Sequence, residues 1–212
     1  GCIIEECKNK PKIGSFADIT TFSFHPVKII TSGEGGMALT NDQELAWKMS
    51  MLCTHGVTRD EDRLKQESQG PWYYEQQDLG FNYRMTDIHA ALGLSQLARV
   101  KEFVERRNAL AKRYDDLLAN LPLKRPIVLP ENRSSYHLYV IRLHTREEPE
   151  KHRRFFEELR RAGIGVNLHY MPVHLQPYYR KLGFQEGQFS EAEAHAREAI
   201  SLPLYPDLKE PI

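Results

Sequence analysis

Apolar and polar positions along this chain fall into stretches of two different periods. Residues 18–25, DITTFSFH, place Ile19, Phe22 and Phe24 among β-branched and polar neighbours, which predicts a buried strand. MALT at 37–40 predicts a short second strand after a glycine turn. From a capping Asn41 or Asp42 onward, Leu45, Ala46, Met49 and Leu52 recur at helical spacing. Residues 56–78 keep no period; they are charged, then Gly-Pro, then aromatic, and predict a long loop. Loops of that length in compact domains are uncommon and are functional or mobile.

Helical spacing returns at Thr86. An apolar stripe from Ile88 through Leu92, Leu97, Val104 and Leu110 to Leu118 predicts a helical region ending near Leu121, bent or broken at 98–101. Pro122, Pro126 and Pro130 mark its exit. Residues 136–143 read as a strand, and 150–163 as a helix with Phe155, Phe156 and Leu159 inward and Gly163 capping its end. Residues 164–170 read as a strand; LQPYYRKLG and SEAEAHAREAI read as two short helices. The order after residue 122 suits a small α+β domain, so the pattern predicts domains at 1–98 and 99–212.

Composition narrows the partners. The 212 residues carry 29 basic and 29 acidic side chains, so there is no net charge to attract a polyanion such as nucleic acid. No run approaches the roughly 20 apolar residues of a membrane span, and the N-terminus lacks the pattern of a signal peptide. Cys2, Cys7 and Cys53 form no C-x-x-C pair, which predicts reduced thiols in a cytoplasmic protein. The absence of an initial Met, and the proline-rich ending SLPLYPDLKEPI, lead to the expectation that this is part of a longer protein.

One residue is out of place. Lys28 follows an apolar run and precedes Gly33, Gly35 and Gly36. A phosphate-binding loop needs its lysine after the glycines, so that reading fails and a tight turn between strands is favoured. The turn also lets backbone pass close to whatever Lys28 touches. A snorkelling lysine at a strand end is the plain alternative. Against it stand the Ser23 hydroxyl five residues upstream and the irregular backbone forced by His25-Pro26. A desolvated lysine is a nucleophile toward carbonyls, the role that pyridoxal phosphate exploits. The nine histidines, among them His169 and His174, show no metal-binding spacing, so no metal is predicted. Ser23 and Ser32 lack a nucleophile elbow. RRFFEELRR reads as a solvated helix face with Phe155 and Phe156 on its core side.

The blocks GSFADITTFSFHPVKIITSGEGGMALTND, THG at 54–56, DLGFNYRMTDIHAALGLSQL at 78–97 and GIGVNLHYMPVH at 163–174 together resemble the DegT/DnrJ/EryC1/StrS sugar-nucleotide aminotransferases, and in that order. Within the family they look most like the transaminases of pseudaminic acid synthesis, which aminate C4 of a UDP-linked 4-keto-6-deoxy-N-acetylhexosamine.

The resemblance implies a partial α/β type I pyridoxal-phosphate transferase fold: the C-terminal part of a large α/β/α domain with a mostly parallel sheet, then a small α+β domain. It implies that Lys28 anchors the cofactor covalently and that Ser23 holds its phosphate. Asn82 would reach the phosphate of the other subunit's cofactor, in a homodimer with shared active sites, and His169 would lie near the sugar nucleotide. The substrates implied are a UDP- or dTDP-linked keto sugar and L-glutamate, in surface glycan biosynthesis. Some members carry histidine in place of the lysine and act as dehydratases; Lys28 argues against that role. Family members carry about as much chain again before this point, including an aspartate paired with the pyridine nitrogen in a motif whose last glycine aligns with Gly1. The alternative is therefore a catalytically incomplete fragment, or a truncated member acting only as a dimerisation or interaction module.

Overall fold

Strands β1 (Thr20–Ser23) and β2 (Gly36–Leu39) pair antiparallel, with Thr20 opposite Leu39 and Ser23 opposite Gly36. They belong to a computed structural model that describes residues 13–146 and 148–209. The chain divides into two compact units, Gly1–Lys101 and Glu102–Ile212.

In the first unit, α1 (Gln43–Cys53) starts where Asp42 caps it, its carboxylate accepting from the Leu45 amide at 3.0 Å. Strands β3 (Val57–Thr58) and β4 (Glu75–Gln76) form a second antiparallel pair. α2 (Asp87–Ala98) is capped by Thr86, whose hydroxyl accepts from the His89 amide at 3.3 Å. Arg99 ends α2 and α3 (Val100–Leu117) follows at once, so the break falls within the window 98–101.

The region 56–78, expected as a long loop, carries short elements of its own. Besides β3 and β4 it holds a 3-10 turn at Glu61–Arg63. Arg63 makes two bonds to the Glu44 carboxylate, at 2.9 and 2.6 Å, and lies over the Trp47 ring. The Glu75 carboxylate accepts from the amides of Lys65 and Gln66, at 2.8 and 2.7 Å. Charged residues that show no period in sequence thus serve as staples of this loop.

The second unit is built on the sheet β5 (Leu123–Lys124), β6 (Tyr139–Leu143) and β7 (Ala199–Leu202), antiparallel in that order with β6 central. Tyr139 faces Leu202 and Ile141 faces Ile200, so alternate residues of both strands enter one core. α3 contributes Leu110 and Ala111, and Val166 and Leu204 complete the cluster. Burying each of the larger aliphatic side chains stabilises the unit by about 1.5–3 kcal/mol. Tyr139, fully buried, donates to Asp115 at 2.6 Å. Burial, and then that carboxylate, push its phenol far above the ordinary tyrosine range. The buried Arg107 guanidinium donates to the carbonyls of Leu204, Tyr136 and His137, tying two stretches of loop to α3.

α4 (Pro149–Arg161), α5 (Pro177–Lys181) and α6 (Ser190–Glu198) complete this unit. Two expectations need correction here. Phe156 and Leu159 pack on the core, but Phe155 is exposed. Positions 156 and 159 share a face at helical spacing, and 155 is turned about 100° from 156. Residues 164–170 form no continuous strand: Asn167 alone bridges to Ser201, and Arg160 takes the Val166 carbonyl at 2.9 Å, which removes it from any ladder.

All strand pairs among the described residues are antiparallel, so the mostly parallel sheet implied for the large domain is not represented in them. In the first unit Met51 and Val100 are the buried hydrophobic side chains among the described residues. By contrast Phe16, Ile88, Leu94, Leu79 and Tyr83 each expose more than half their surface.

Candidate active site

Lys28 is not at a strand end. It lies in the connection 24–35 between β1 and β2, in a turn closed by its own amide donating to the His25 carbonyl at 2.9 Å. Pro26 has no amide to offer a ladder, and the strand accordingly stops at Ser23. The connection folds back on itself. Phe24 donates to the Gly35 carbonyl, at 2.8 Å, and its own carbonyl accepts from the Ser32 amide and the Thr31 hydroxyl. Ser32, fully buried, donates through Oγ to the Glu34 carbonyl at 2.9 Å.

The glycines serve this closure. Gly33 and Gly35 have positive φ, and a Cβ at Gly36 would lie 2.7 Å from the Phe22 carbonyl oxygen. The close backbone approach is thus to the chain's own first strand.

The Lys28 side chain is half-buried, and among the described residues its ammonium has neither an ion-pair nor a hydrogen-bond partner. A half-buried amine with no carboxylate beside it keeps its capacity for covalent chemistry. Ser23, at the base of the same hairpin, is exposed, and its Oγ accepts from the His25 amide at 3.3 Å. That bond uses a lone pair and leaves the hydroxyl hydrogen available to an anion.

Asn82 lies in the same unit on a different segment. Residues 81–83 pair with the stretch following α1: His55 donates to the Phe81 carbonyl at 2.8 Å, and Thr54 and Asn82 form a bridge. Gly56 and Gly80 pass with almost no space between their backbones, and a Cβ on Gly56 would strike the Asp78 carbonyl oxygen. The THG block at 54–56 and the DLGFN block at 78–82 therefore meet in space. Asn82 is exposed, its sequence neighbours Phe81 and Tyr83 stack their rings on each other, and its Oδ1 accepts from Arg84.

His169 belongs to the second unit. Its ring is half-buried, with Nδ1 2.7 Å from Ser201 Oγ and the Tyr170 ring edge-on at 4.6 Å. Sequence reasoning passed over Ser201, whose one signal is a hydroxyl inside the apolar strand AISL. It also passed over the buried His174–Glu193 pair at 2.8 Å. Glu193 is held below the usual carboxylate range, first by His174 and also by the amides of Gly187 and Phe189. Cys53 is a free thiol donating to the Tyr83 carbonyl at 2.9 Å; Cys2, Cys7 and Gly1 lie outside the described residues. Among the described residues no group of three His, Cys, Asp or Glu is placed to hold a metal ion, and no helix is long and apolar enough to cross a membrane.

One hairpin thus carries a lysine without a partner among the described residues, an exposed hydroxyl and a glycine-closed connection. The chain belongs to the DegT/DnrJ/EryC1/StrS aminotransferase family, whose sequence profile matches residues 5–211. It is 35% identical over 198 residues to the UDP-4-amino-4,6-dideoxy-N-acetyl-beta-L-altrosamine transaminase of Campylobacter jejuni, covering 93% of this chain and 50% of that protein.

Its fold matches that of Helicobacter pylori PseC, an aminotransferase involved in the biosynthesis of pseudoaminic acid. The TM-score is 0.83 at 33% identity, over 95% of this chain and 52% of PseC. It matches the PLP-form of Streptococcus pneumoniae Spr1654 equally, with TM-score 0.83 and 35% identity over 93% of this chain and 49% of that one. These are fold type I enzymes, and the chain spans about half the length of the relatives it matches.

Proposed function

We propose that this chain forms part of a pyridoxal-phosphate-dependent aminotransferase that moves an amino group from L-glutamate to a keto-sugar nucleotide of the 4-keto-6-deoxy-hexosamine type, for surface glycan biosynthesis in the cytoplasm. The observation that carries the reading is Lys28: a half-buried ammonium without a partner among the described residues, in a chain of this family. The UDP in the name of the Campylobacter jejuni relative supports the choice of substrate class.

The donor set fits the cofactor. Lys28 offers the amine, Ser23 an exposed hydroxyl for its phosphate, and Asn82 an exposed amide for the phosphate of a second subunit's cofactor in a homodimer. When bound, pyridoxal phosphate supplies an aldehyde that takes up amines and a ring that accepts the electron pair left by a departing proton.

The rest is the chain's own work. Lys28 binds the cofactor until L-glutamate displaces it. Its freed amine would take the proton from the donor α-carbon and pass it to the cofactor, and water would then release 2-oxoglutarate with the nitrogen left behind. In the return half the ketone oxygen would leave as water, Lys28 would deliver a proton to that sugar carbon, and the amino sugar would leave as Lys28 takes its place on the cofactor. His169 orients the sugar nucleotide. Trp72 and Tyr74, exposed on the ordered loop 56–78, cover the substrate.

The test is transfer of nitrogen from 15N-glutamate to a panel of UDP- and dTDP-keto sugars. Lys28→Ala is expected to abolish transfer; label arriving in the amino sugar at the wild-type rate would refute the reading.

A second reading has its own support. The exposed apolar side chains of the first unit favour a catalytically incomplete chain acting as a dimerisation or interaction module. A wild-type chain that stays monomeric and performs the transfer would eliminate it.

A further inference from the structure

The alternation of β7 decides the surroundings of His169. Ile200 and Leu202 enter the core opposite Ile141 and Tyr139. Ser201 therefore turns to the other face of the sheet, where it is 4% exposed. Its backbone is committed to Asn167, donating at 2.8 Å and accepting at 3.2 Å. The hydroxyl remains, and among the described residues the acceptor within its reach is His169 Nδ1 at 2.7 Å.

A buried hydroxyl hydrogen needs an acceptor. A hydrogen on Nδ1 would point at Oγ and leave the serine hydrogen without one. The hydroxyl therefore donates, Nδ1 accepts, and the imidazole hydrogen sits on Nε2. The main chain of His169 is fixed too: His195 Nε2 donates to its carbonyl at 3.3 Å.

We propose that Ser201 is a positioning residue, which holds His169 as an Nε2–H donor to an oxygen of the sugar nucleotide. The proposal rests on the reading of His169 as a substrate-binding residue. It adds a polarity: phosphate and carbonyl oxygens accept hydrogen bonds, so the opposite tautomer would present them with a lone pair.

Two measurements on the protein test it. The first is long-range 1H–15N NMR of 15N-histidine-labelled protein at alkaline pH, with His169→Ala to assign the signal. The second is the affinity for UDP-N-acetylglucosamine, used as a non-reacting probe. The wild type should show the Nε2–H pattern. Ser201→Ala should show mixed tautomers and bind about fivefold to tenfold more weakly, the typical effect of losing one hydrogen bond. Ser201→Cys keeps the size with a weaker donor and should fall between them. The Ser201→Ala/His169→Ala double variant should bind no worse than His169→Ala alone, because the two act as one unit.

An Nδ1–H pattern in the wild type would overturn the proposal. So would unchanged affinity in Ser201→Ala beside a clear loss in His169→Ala. Unchanged affinity in His169→Ala itself would refute the substrate role of His169, a failure distinguishable because it does not involve Ser201.

Discussion

Glu193 shows what single residues do in the second unit. Its carboxylate, 4% exposed, meets His174 at 2.8 Å, the Gly187 amide at 2.8 Å and the Arg197 guanidinium at 3.6 Å. It thereby joins the turn Val173–Leu175 and the loop before α6 to α6 itself. Its folded pKa lies below its unfolded value, so its stabilising contribution is complete above the ordinary carboxylate value of 4.5 and is lost as pH falls through the folded value. The melting temperature of the second unit should therefore drop on acidification below 4.5, and Glu193→Gln should flatten that part of the profile. An unchanged profile in the variant would show that other carboxylates carry it.

At this scale Lys28 was conspicuous in the sequence, because a lone lysine between β-branched residues and glycines is chemically odd wherever the strand ends. Ser201 was not. Its role depends on a histidine 32 positions away, which no local pattern reveals.

At the scale of elements, helices were easier to read than connections. Caps at Asp42 and Thr86 announce α1 and α2, and the break before α3 shows in the apolar stripe. Residues 164–170 look like a strand, but their ladder is cut short by Arg160, a residue of the preceding helix. The staples of loop 56–78 are likewise non-local, since Arg63 finds Glu44 on α1.

The crossing of Gly56 and Gly80 gives a sharp prediction. Gly56 has φ of +70°, and a Cβ there would strike the Asp78 carbonyl oxygen. Gly56→Ala should cost about 2 kcal/mol or more, combining backbone strain with a clash. Urea unfolding followed by Trp47 and Trp72 fluorescence measures it, and a wild-type midpoint would mean that the crossing can open without cost.

At the scale of the molecule, the two units differ in how they are held. The second has a contiguous core with buried hydrogen bonds from Arg107 and Tyr139. The first holds its shape mainly through turns, caps and glycine crossings, with α2 exposing Ile88, Leu94 and Leu97. A helix that is apolar on several faces is suited to burial. Amides of β6 and β7 should therefore exchange far more slowly than those of β1 and β2, and the chain should bind a hydrophobic dye until its exposed side chains are covered. Equal protection in both units would contradict this division.

The central claim is that Lys28 anchors the cofactor. Incubation with pyridoxal phosphate, reduction with borohydride and peptide mass spectrometry address it directly, with or without turnover. The prediction is a pyridoxyl adduct concentrated on the peptide containing Lys28 and lost in Lys28→Ala. An adduct spread evenly over surface lysines, or undiminished in that variant, would contradict it.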